Sequence, residues 1–417
     1  MKFLFISQGY AQVGGPDTGL GKYLREMCLG LMARGHECHV LVWAEGEVLR
    51  AMHSDRGVPS EGPDDLLKKS GIRHVLQQDV EGVKLFYLAH AYWPLLERVM
   101  PDLRDEWNMR RVVRRLDAEN SYNWIEIQSE EGIALGVLKD FPNKSIMRIH
   151  TTMADMVRDK QVVLTRKVRY RLARERRSFL LARTVVTHSK LHAEVLSKRF
   201  PALQKPLVVS HGCDLPFSEK AHDARDAGAP LRILVVGTPD RRKGYDRIMP
   251  VMRAIVSMGY TCSVCIVARC AEDVRRRFGF CPPYPDGLSV EWREGVLLDE
   301  LMDLYAQASV LLQLSRYESF GWPAVEAASQ GTPVVSTEVG VAPELLAGEL
   351  QGCLVNGDEP EACARAILEA IRDRERIGAC LKQRYLKRHT RDMMIESYLE
   401  KLRMKAVQSI RGENFLA

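Results

Sequence analysis

The chain has 417 residues, of which 46% are hydrophobic and 27% charged, a composition typical of globular proteins. At this length we expect two domains rather than a single core. The net charge of +6 and the isoelectric point near 8.7 are too mild to indicate nucleic-acid binding on their own. The cysteines lack the even, clustered spacing of a disulfide scaffold, which favours reduced thiols.

The first half of the chain alternates strand and helix patterns. The apolar run at 2–7 predicts a buried strand, which is followed by a glycine-rich loop, an amphipathic helix ending near Gly35, and a second strand at 39–44. This βαβ order implies a parallel sheet covered by helices. The polar stretch at 45–79 is predicted to be an irregular insertion. Further strands are predicted at 84–89, 123–128, 145–150, 184–189 and 206–212.

The N-terminal sequence MKFLFISQGY has too short an apolar region for a signal peptide. No window approaches the roughly 18 apolar residues of a membrane-spanning helix. We therefore expect a cytoplasmic protein, or one that lies peripherally on the inner face of a membrane.

The alternation starts again after the polar segment 216–230, whose alanine, glycine and proline content is typical of an interdomain linker. The run 231–255 repeats the strand–loop–helix plan. Further strands are predicted at 260–268, 288–295, 310–315 and 332–337, and helices at 299–308, 323–330 and 360–374. The predicted fold is α/β, with two Rossmann-like, doubly wound domains that face a cleft and bind ligands at the carboxyl ends of strands. We expect domains at 1–215 and 230–390, followed by a segment at 391–417.

The stretch YESFGWPAVEAASQGTPVV at 317–335 places a glutamate on each side of a turn that leads into a short helix. The turn consists of Ser319, Phe320, Gly321 and Trp322. Pro323 suits the first helical position and Gly331 a C-terminal cap, so the turn lies at a helix N-terminus, which favours phosphate.

The two glutamates need a different ligand, because a carboxylate beside a phosphate would repel it by about 1 kcal/mol or more. Glu318 and Glu326 are therefore predicted to bind neutral diols, on a sugar and a ribose, at either end of a diphosphate. The alternative is that Glu318 is a solvated loop residue and Glu326 a helix charge that is favourable with the helix dipole.

This stretch, continued as STEVGVAPELL, resembles the E-x7-E signature of the retaining GT-B glycosyltransferases of family four. The resemblance covers most of 230–375, through GTPDRRKGYD, REGVLLDELMDLYAQAS and LVNGDEPEACARAILEAI. It is looser in the first half, at the glycine loop, ARGHECHVLV and RIHTT. It implies that the C-terminal domain binds the nucleotide sugar, that the N-terminal domain binds the acceptor, and that the last helix, around MMIESYLEKLRMKAV, crosses back to the N-terminal domain.

The segment GTPDRRKG resembles the phosphate-binding loop of that family. Lys243 occupies the lysine position, which implies donor binding and a catalytic role, whereas Thr238 stands where the family has an arginine. Arg241 or Arg242 is predicted to reach the same phosphate oxygens, because a guanidinium suits bidentate phosphate binding. The alternative for these cations is a solvated basic loop.

The resemblance implies further site residues. The glycine-rich loop with Gly14 and Gly15 is predicted to contact the donor diphosphate. The loop does not contain the GxGxxG motif, so the sequence does not indicate a dinucleotide-binding fold. His150, at the end of the strand SIMRIH, matches a histidine of the resembled family that contacts the transferred sugar in the catalytic site. The alternative is that His150 has a structural role. The backbone near Val296 is predicted to flank the base. Cys262 and Cys265 form a CxxC in a predicted strand, where they point to opposite faces, so no shared metal is expected.

Basic residues are concentrated at 158–183, with a second cluster at 110–115. The cations of the first segment are Arg158, Lys160, Arg166, Lys167, Arg169, Arg171, Arg174, Arg176, Arg177 and Arg183, and only Asp159 and Glu175 oppose them. The pattern predicts attraction to an anionic membrane surface or a phosphorylated acceptor, against the alternative of a solvated helix face. Nucleic acid is not predicted as a partner, because no series of aromatic side chains interleaves the arginines.

Together with these patterns, the resemblance implies a retaining hexosyltransferase, with Glu318, His150 and Lys243 as its catalytic residues. The donor would be a nucleotide diphosphate sugar, with UDP favoured over GDP, and the acceptor a hydroxyl of a glycan, a lipid-linked sugar or a small molecule. No Asp-x-Asp triad is found, so neither a metal nor a cofactor is expected. The alternatives are a nucleotide-sugar epimerase or sugar-phosphate synthase on the same fold, and a non-catalytic protein that binds anionic surfaces.

Overall fold

The computed structural model describes residues 1–8, 10, 19–43, 75–88, 101–129, 132–159, 162–220, 229–268 and 272–413. The chain divides into two units. The first comprises 1–187, 195–212 and the chain from Met394 onward, and the second comprises 188–194 and 213–393. Within the described ranges, no helix combines the length and the apolar character needed to cross a bilayer.

The first unit is built on a sheet with the strand order β3-β4-β2-β1-β5-β6-β7-β8. Its strands are β1 (Lys2–Ser7), β2 (Glu37–Trp43), β3 (Val75–Val80), β4 (Val83–Leu88), β5 (Trp124–Gln128), β6 (Ser145–Arg148), β7 (Val185–Thr187) and β8 (Leu207–Val208). The helices are α1 (Gly19–Met32), α2 (Pro101–Asn120), α3 (Ala134–Asp140), α4 (Met153–Asp159), α5 (Arg166–Leu181) and α6 (Lys190–Arg199), of which α6 belongs to the second unit up to Glu194 and to the first from Val195. Parallel pairing with helical crossovers buries the central strands on both faces, and β1 is buried from its second residue on.

One edge of this sheet corrects the sequence analysis. The predicted irregular insertion at 45–79 ends in a strand, β3, which pairs antiparallel with β4. The two strands are joined by Glu81 and Gly82, whose φ angles of 55° and 81° are those of a type I′ hairpin turn. The strand was missed because the glutamines and aspartate of VLQQDV interrupt the apolar run by which the other strands are recognised. The insertion at 45–74 lies outside the described residues.

The second unit has a parallel sheet with the strand order β11-β10-β9-β12-β13. Its strands are β9 (Leu231–Val236), β10 (Cys262–Val267), β11 (Leu288–Arg293), β12 (Val310–Gln313) and β13 (Val334–Ser336). The helices are α7 (Tyr245–Ser257), α8 (Glu272–Arg277), α9 (Leu298–Gln307), α10 (Trp322–Gln330), α11 (Ala342–Leu345), α12 (Pro360–Arg372) and α13 (Arg374–Arg388), with a 3₁₀ helix at Gly348–Cys353. The last helix, α14 (Arg391–Glu413), begins in the second unit and belongs to the first unit from Met394 onward. The predicted α/β fold with doubly wound parallel sheets is confirmed.

The strands of the second unit begin and end within about two residues of their predicted limits, the usual uncertainty of element ends. Cys262 and Cys265 both lie in β10 as free thiols, and burial raises the pKa of each to about 11. The first residues of the predicted linker contact the second unit. Ser218 and Lys220 bind the carboxylate of Asp303 in α9, each at 2.6 Å, so these residues are part of the second unit.

A buried ion pair ties together several elements of the first unit. Arg148 is fully buried, and its guanidinium donates to the carboxylate of Glu126 through Nε at 2.7 Å and Nη2 at 3.2 Å. The hydroxyls of Tyr23 in α1 and Tyr398 in α14 donate to the same carboxylate at 2.7 and 2.8 Å. These four bonds offset the cost of burying the charges, and they fix the C-terminal helix to β5 and β6.

Candidate functional site

The candidate site lies at the carboxyl edge of the second unit's sheet. β9 and β12 are neighbours in this sheet and run parallel. The loops that leave their carboxyl ends therefore emerge side by side, which is the usual ligand-binding position of such sheets. The loop after β9 is residues 237–244, and the loop after β12 is residues 314–321.

The turn after β12 has the predicted geometry. α10 begins at Trp322, directly after Gly321, whose φ of 91° is left-handed, and it ends at Gly331 with a φ of 71°. The proline falls in the first turn, where its missing N–H loses no intrahelical bond. The predicted glycine cap is confirmed, and the helix begins one residue earlier than predicted, so that Pro323 is its second residue. The N-terminus of α10 carries a partial positive charge, so the turn Ser319–Trp322 is suited to an anion.

A second loop holds this turn in place. The backbone N–H of Val341 donates to the carbonyl of Phe320 at 2.7 Å. Gly340, just before it, has a φ of 54°, and a Cβ at that position would lie 2.1 Å from the same carbonyl oxygen. Since no side chain fits in that space, only glycine allows the two loops to approach so closely. The backbone of the turn is therefore fixed before any ligand binds.

The carboxylate of Glu318 is nearly buried and accepts two hydrogen bonds on one oxygen. Nζ of Lys243, from the loop after β9, donates to Oε1 at 2.6 Å, and Oγ of Ser315 donates to it at 2.8 Å. The backbone N–H of Lys243 donates to Oδ1 of Asp240 at 2.7 Å. Two residues predicted as catalytic, 75 positions apart in the chain, are thus in direct contact. Sequence reasoning missed Ser315 and Asp240, since neither belongs to a spacing that marks a site.

The structure distinguishes the two arginines of the loop. Arg242 places Nη1 3.9 Å from Oε2 of Glu318 and Nη2 3.7 Å from Oδ2 of Asp240. Arg241 is exposed, and its backbone carbonyl accepts a hydrogen bond from Arg316 at 2.8 Å. Thr238 is also exposed. Arg241 and Arg242 were the two candidates to replace the arginine that is missing at position 238. Of these, Arg242 lies beside Glu318 and Asp240.

Glu326 lies on the buried face of α10. It is 6% exposed, and its Oε2 accepts a hydrogen bond from the hydroxyl of Tyr305 at 2.9 Å. Burial, together with the adjacent carboxylate, raises the pKa of Tyr305 well above its usual value, so the hydroxyl stays a donor. Sequence reasoning missed Tyr305, because in the apolar pattern of α9 it looks like any other core residue. The role of Glu326 as a diol ligand stays a prediction.

A segment distant in sequence supports the same turn within the second unit. Oγ of Ser189 donates to the carbonyl of Ser319 at 3.3 Å, and Nε2 of His192 lies 3.1 Å from the hydroxyl of Tyr317. The backbone N–H of Lys190 donates to Oε1 of Glu344 at 2.7 Å. More than a hundred residues separate this segment from the turn, and no sequence pattern links the two.

The remaining predicted residues are placed as follows. His150 belongs to the first unit and lies just after β6, where its ring stacks on His211 with centroids 5.6 Å apart and meets Tyr23 edge-on at 5.5 Å. Val296 is half-buried in the loop between β11 and α9. Gly14 and Gly15 lie outside the described residues.

Comparison with known proteins gives one family and several relatives. Residues 230–373 match the family described as "Glycosyl transferases group 1". An uncharacterized 41.2 kDa protein in the cps region of Klebsiella pneumoniae is 33% identical over 129 residues, which are 31% of this chain and 34% of that protein. D-inositol 3-phosphate glycosyltransferase of Corynebacterium urealyticum is 31% identical over 194 residues, 40% of this chain and 43% of that protein. The alignments span less than half the length of these relatives.

Solved structures match along nearly the whole chain. Sucrose-phosphate synthase from Thermosynechococcus elongatus has a TM-score of 0.67 at 17% identity, covering 98% of this chain and 99% of that one. Anabaena HepE in complex with UDP has a TM-score of 0.60 at 17% identity, covering 97% and 100%. At this level of identity, the similarity shows a shared fold.

Proposed function

We propose that the chain is a retaining hexosyltransferase. The premise is that it belongs to the family-four-like GT-B glycosyltransferases, by its group 1 segment and by its fold. It would move a sugar from a nucleotide diphosphate sugar to a hydroxyl of a glycan, a lipid-linked sugar or a small molecule. The second domain, 230–390, would bind the donor and the first, 1–215, the acceptor, with the segment 391–417 crossing back to the first.

One observation carries the proposal. The ammonium of Lys243 and the carboxylate of Glu318 meet at 2.6 Å beside the N-terminus of α10, at the carboxyl edge of the sheet. A cation and a helix N-terminus suit a diphosphate, and a carboxylate suits the hydroxyls of a sugar. A site that offers both types of group within one cluster fits a molecule that carries both.

Donor binding would exchange partners rather than fill a vacant cation site. Without ligand, Lys243 is neutralised by Glu318, and Arg242 lies between Glu318 and Asp240. A diphosphate would take over the two cations and release the carboxylate of Glu318 toward the hydroxyls of the sugar. The exchange keeps every charge paired in a partly buried site, where an unpaired one is costly.

The donor-binding residues that we propose lie in the loop after β9, in the turn before α10, in α10 itself, and at three positions implied by the family resemblance. They are Gly14, Gly15, Arg242, Lys243, Val296, Ser319, Phe320, Gly321, Trp322 and Glu326. UDP is the nucleotide that we propose for the donor, since HepE has been solved in complex with UDP and with UDP-glucose. Val296, in the loop after β11, would flank the base through its backbone.

Catalysis would rest on positioning and on stabilising the departing diphosphate. The acceptor hydroxyl would attack the anomeric carbon on the face from which the diphosphate leaves, with its proton passing to the leaving phosphate oxygen. Lys243, Arg242 and the helix N-terminus would stabilise the charge on that oxygen. Glu318 and His150 would hold the transferred sugar, and no metal would be needed.

A thermal-shift panel of nucleoside diphosphates and nucleotide sugars tests this proposal. A ligand that binds only the native state at about one hundred times its Kd stabilises it by about 2.7 kcal/mol. We expect UDP and a UDP-sugar to raise the melting temperature of the wild type and of Lys387→Ala, which removes an exposed lysine elsewhere in the second unit. The same ligands should have little effect on Lys243→Ala.

Three outcomes would replace the proposal with its alternatives. If no nucleotide shifts the wild type, while anionic vesicles do, the protein is a non-catalytic binder of anionic surfaces. If the nucleotide sugar is converted without a separate acceptor, the protein is an epimerase on the same fold. A sugar phosphate as the one accepted acceptor would indicate a sugar-phosphate synthase.

A further inference from the structure

The outer face of α5 carries several exposed cations. The exposed basic residues of this helix are Arg166, Lys167, Arg169, Arg176 and Arg177. Within the described parts of the chain, the ion pairs of this region involve Arg158, Arg174 and Arg199 and none of these five. The acid of the helix, Glu175, is 1% exposed and accepts the backbone N–H of Met153 at 2.9 and 3.0 Å.

The other basic residues of this region are used inside the unit or lie apart from the outer face. Arg174 is buried and pairs with Glu106 of α2 at 2.7 Å. Arg158 pairs with Asp155 at 3.1 Å. The sequence segment 158–183 therefore separates into structural cations and an outward cationic face, and Lys160 lies outside the described residues.

A short apolar tip precedes this helix. Val162, Val163 and Leu164 are 37%, 76% and 48% exposed. The tip has a defined shape, because Thr165 caps the helix through Oγ1, which accepts the N–H of Val168 at 3.3 Å, and its own N–H donates to the carbonyl of Val163 at 2.8 Å. Consecutive aliphatic side chains held in water are unfavourable unless they meet an apolar partner.

Apolar side chains also occur along the cationic face itself. Tyr170 is 42% exposed and Leu180 65% exposed, at positions that helical spacing places among the five cations. A helix of this length extends about 24 Å, so the cations and the apolar groups share one elongated surface. We call residues 162–181 the α5 surface.

We propose that the α5 surface docks on an anionic lipid bilayer. The five cations would contact headgroup phosphates, and Val163 and Leu164 would enter the boundary between headgroups and acyl chains, with Tyr170 at the same level. A membrane supplies both anionic and apolar partners, whereas a soluble polyanion supplies only the first. The exposed aliphatic tip therefore favours a bilayer over a nucleic acid or a phosphorylated soluble acceptor.

Co-sedimentation with phosphatidylcholine vesicles, with and without phosphatidylglycerol, tests this proposal without any donor or acceptor. The charge variant is Arg166→Gln/Arg169→Gln/Arg177→Gln, and the tip variant is Val163→Ser/Leu164→Ser. The matched control is Leu386→Ser/Lys387→Gln/Arg388→Gln, which removes exposed apolar and basic side chains from α13 of the second unit. All the substituted residues are exposed, and circular dichroism checks that each variant is folded.

We expect the wild type and the control to bind vesicles that contain phosphatidylglycerol and to bind pure phosphatidylcholine weakly. Each cation near an anionic surface changes the partition coefficient about fivefold, so the charge variant should lose about a hundredfold. The tip variant should lose about tenfold at unchanged lipid charge. Salt near 1 M, where the Debye length falls to about 3 Å, should release most of the bound wild type.

Three results would overturn the proposal. The first is equal binding of the wild type to vesicles with and without phosphatidylglycerol. The second is a charge variant that behaves like the control, or, if the triple variant does not fold, single Arg169→Gln and Arg177→Gln variants that bind as the wild type does. The third is a combination of two observations: the tip variant keeps full vesicle binding, and the wild type binds single-stranded RNA as tightly as it binds anionic vesicles. This result would indicate a surface for polyanions in general.

Discussion

Replacing each of two adjacent arginines separately tests how the donor diphosphate is held. Arg241→Gln and Arg242→Gln remove the same charge from neighbouring positions of one loop, so each variant is the control for the other. Arg242 lies within 3.9 Å of Glu318 and 3.7 Å of Asp240, whereas the Arg241 side chain is exposed. We expect only Arg242→Gln to weaken UDP binding strongly.

The size of the effect follows from the type of bond that is lost. A hydrogen bond to a charged group contributes about 1.5–3 kcal/mol, which corresponds to a change in Kd of about 10- to 150-fold. The side chain of Arg242 is 27% exposed, and partial solvent access places the loss near the lower end, at about tenfold. Losing this cation also leaves two carboxylates facing the diphosphate, which acts in the same direction. Arg241→Gln should change Kd by less than about twofold.

Isothermal titration with UDP near physiological ionic strength measures both variants directly. Their melting temperatures without ligand should stay close to that of the wild type, because both side chains are at least partly exposed. A larger loss for Arg241→Gln than for Arg242→Gln would refute the assignment of Arg242 to the diphosphate. Unchanged binding in both variants would show that the arginine missing at Thr238 has no replacement in this loop.

Two further predictions concern the first unit. Glu126→Gln leaves the buried Arg148 without its counter-charge and should destabilise this unit by about 3–5 kcal/mol. The loss is measured as reduced amide protection in β1 and β5 in denaturant, and protection like that of the wild type would contradict it. The pKa of His39 lies below its usual value, mainly because the ring is buried, so its contribution to stability is complete above about pH 6.5 and is lost as the pH falls below that. His39→Asn should therefore flatten the acid side of the stability profile in denaturant titrations at several pH values, and an unchanged slope would argue against it.

Most of the fold could be predicted because both units are built from buried parallel strands, which appear as uninterrupted apolar runs. The strands β9, β12 and β13 were recognised in this way, and so was β1. The failure at β3 has the same origin, since an edge strand with polar residues has no such run. Glu81 and Gly82 form a hairpin turn that the sequence analysis passed over, although a glycine between two short strands is a turn signal.

The site could be predicted only where it is encoded locally. The turn before α10 follows from Gly321, Pro323 and Gly331, whose backbone preferences act within a few residues. The contact between Lys243 and Glu318 depends on β9 and β12 lying side by side, which spacing alone does not encode. The choice of Arg242 over Arg241 depends on the path of the loop backbone.

Transfer from a UDP-sugar, with the anomeric configuration of the product read by NMR, tests the central claim most directly. A panel of hydroxyl acceptors would be offered with EDTA present. We predict a product with the same anomeric configuration as the donor, and turnover at least tenfold lower for Glu318→Ala and for Lys243→Ala than for Lys387→Ala. An inverted product, or near-normal turnover in both site variants, would contradict the proposed retaining glycosyltransferase and its site.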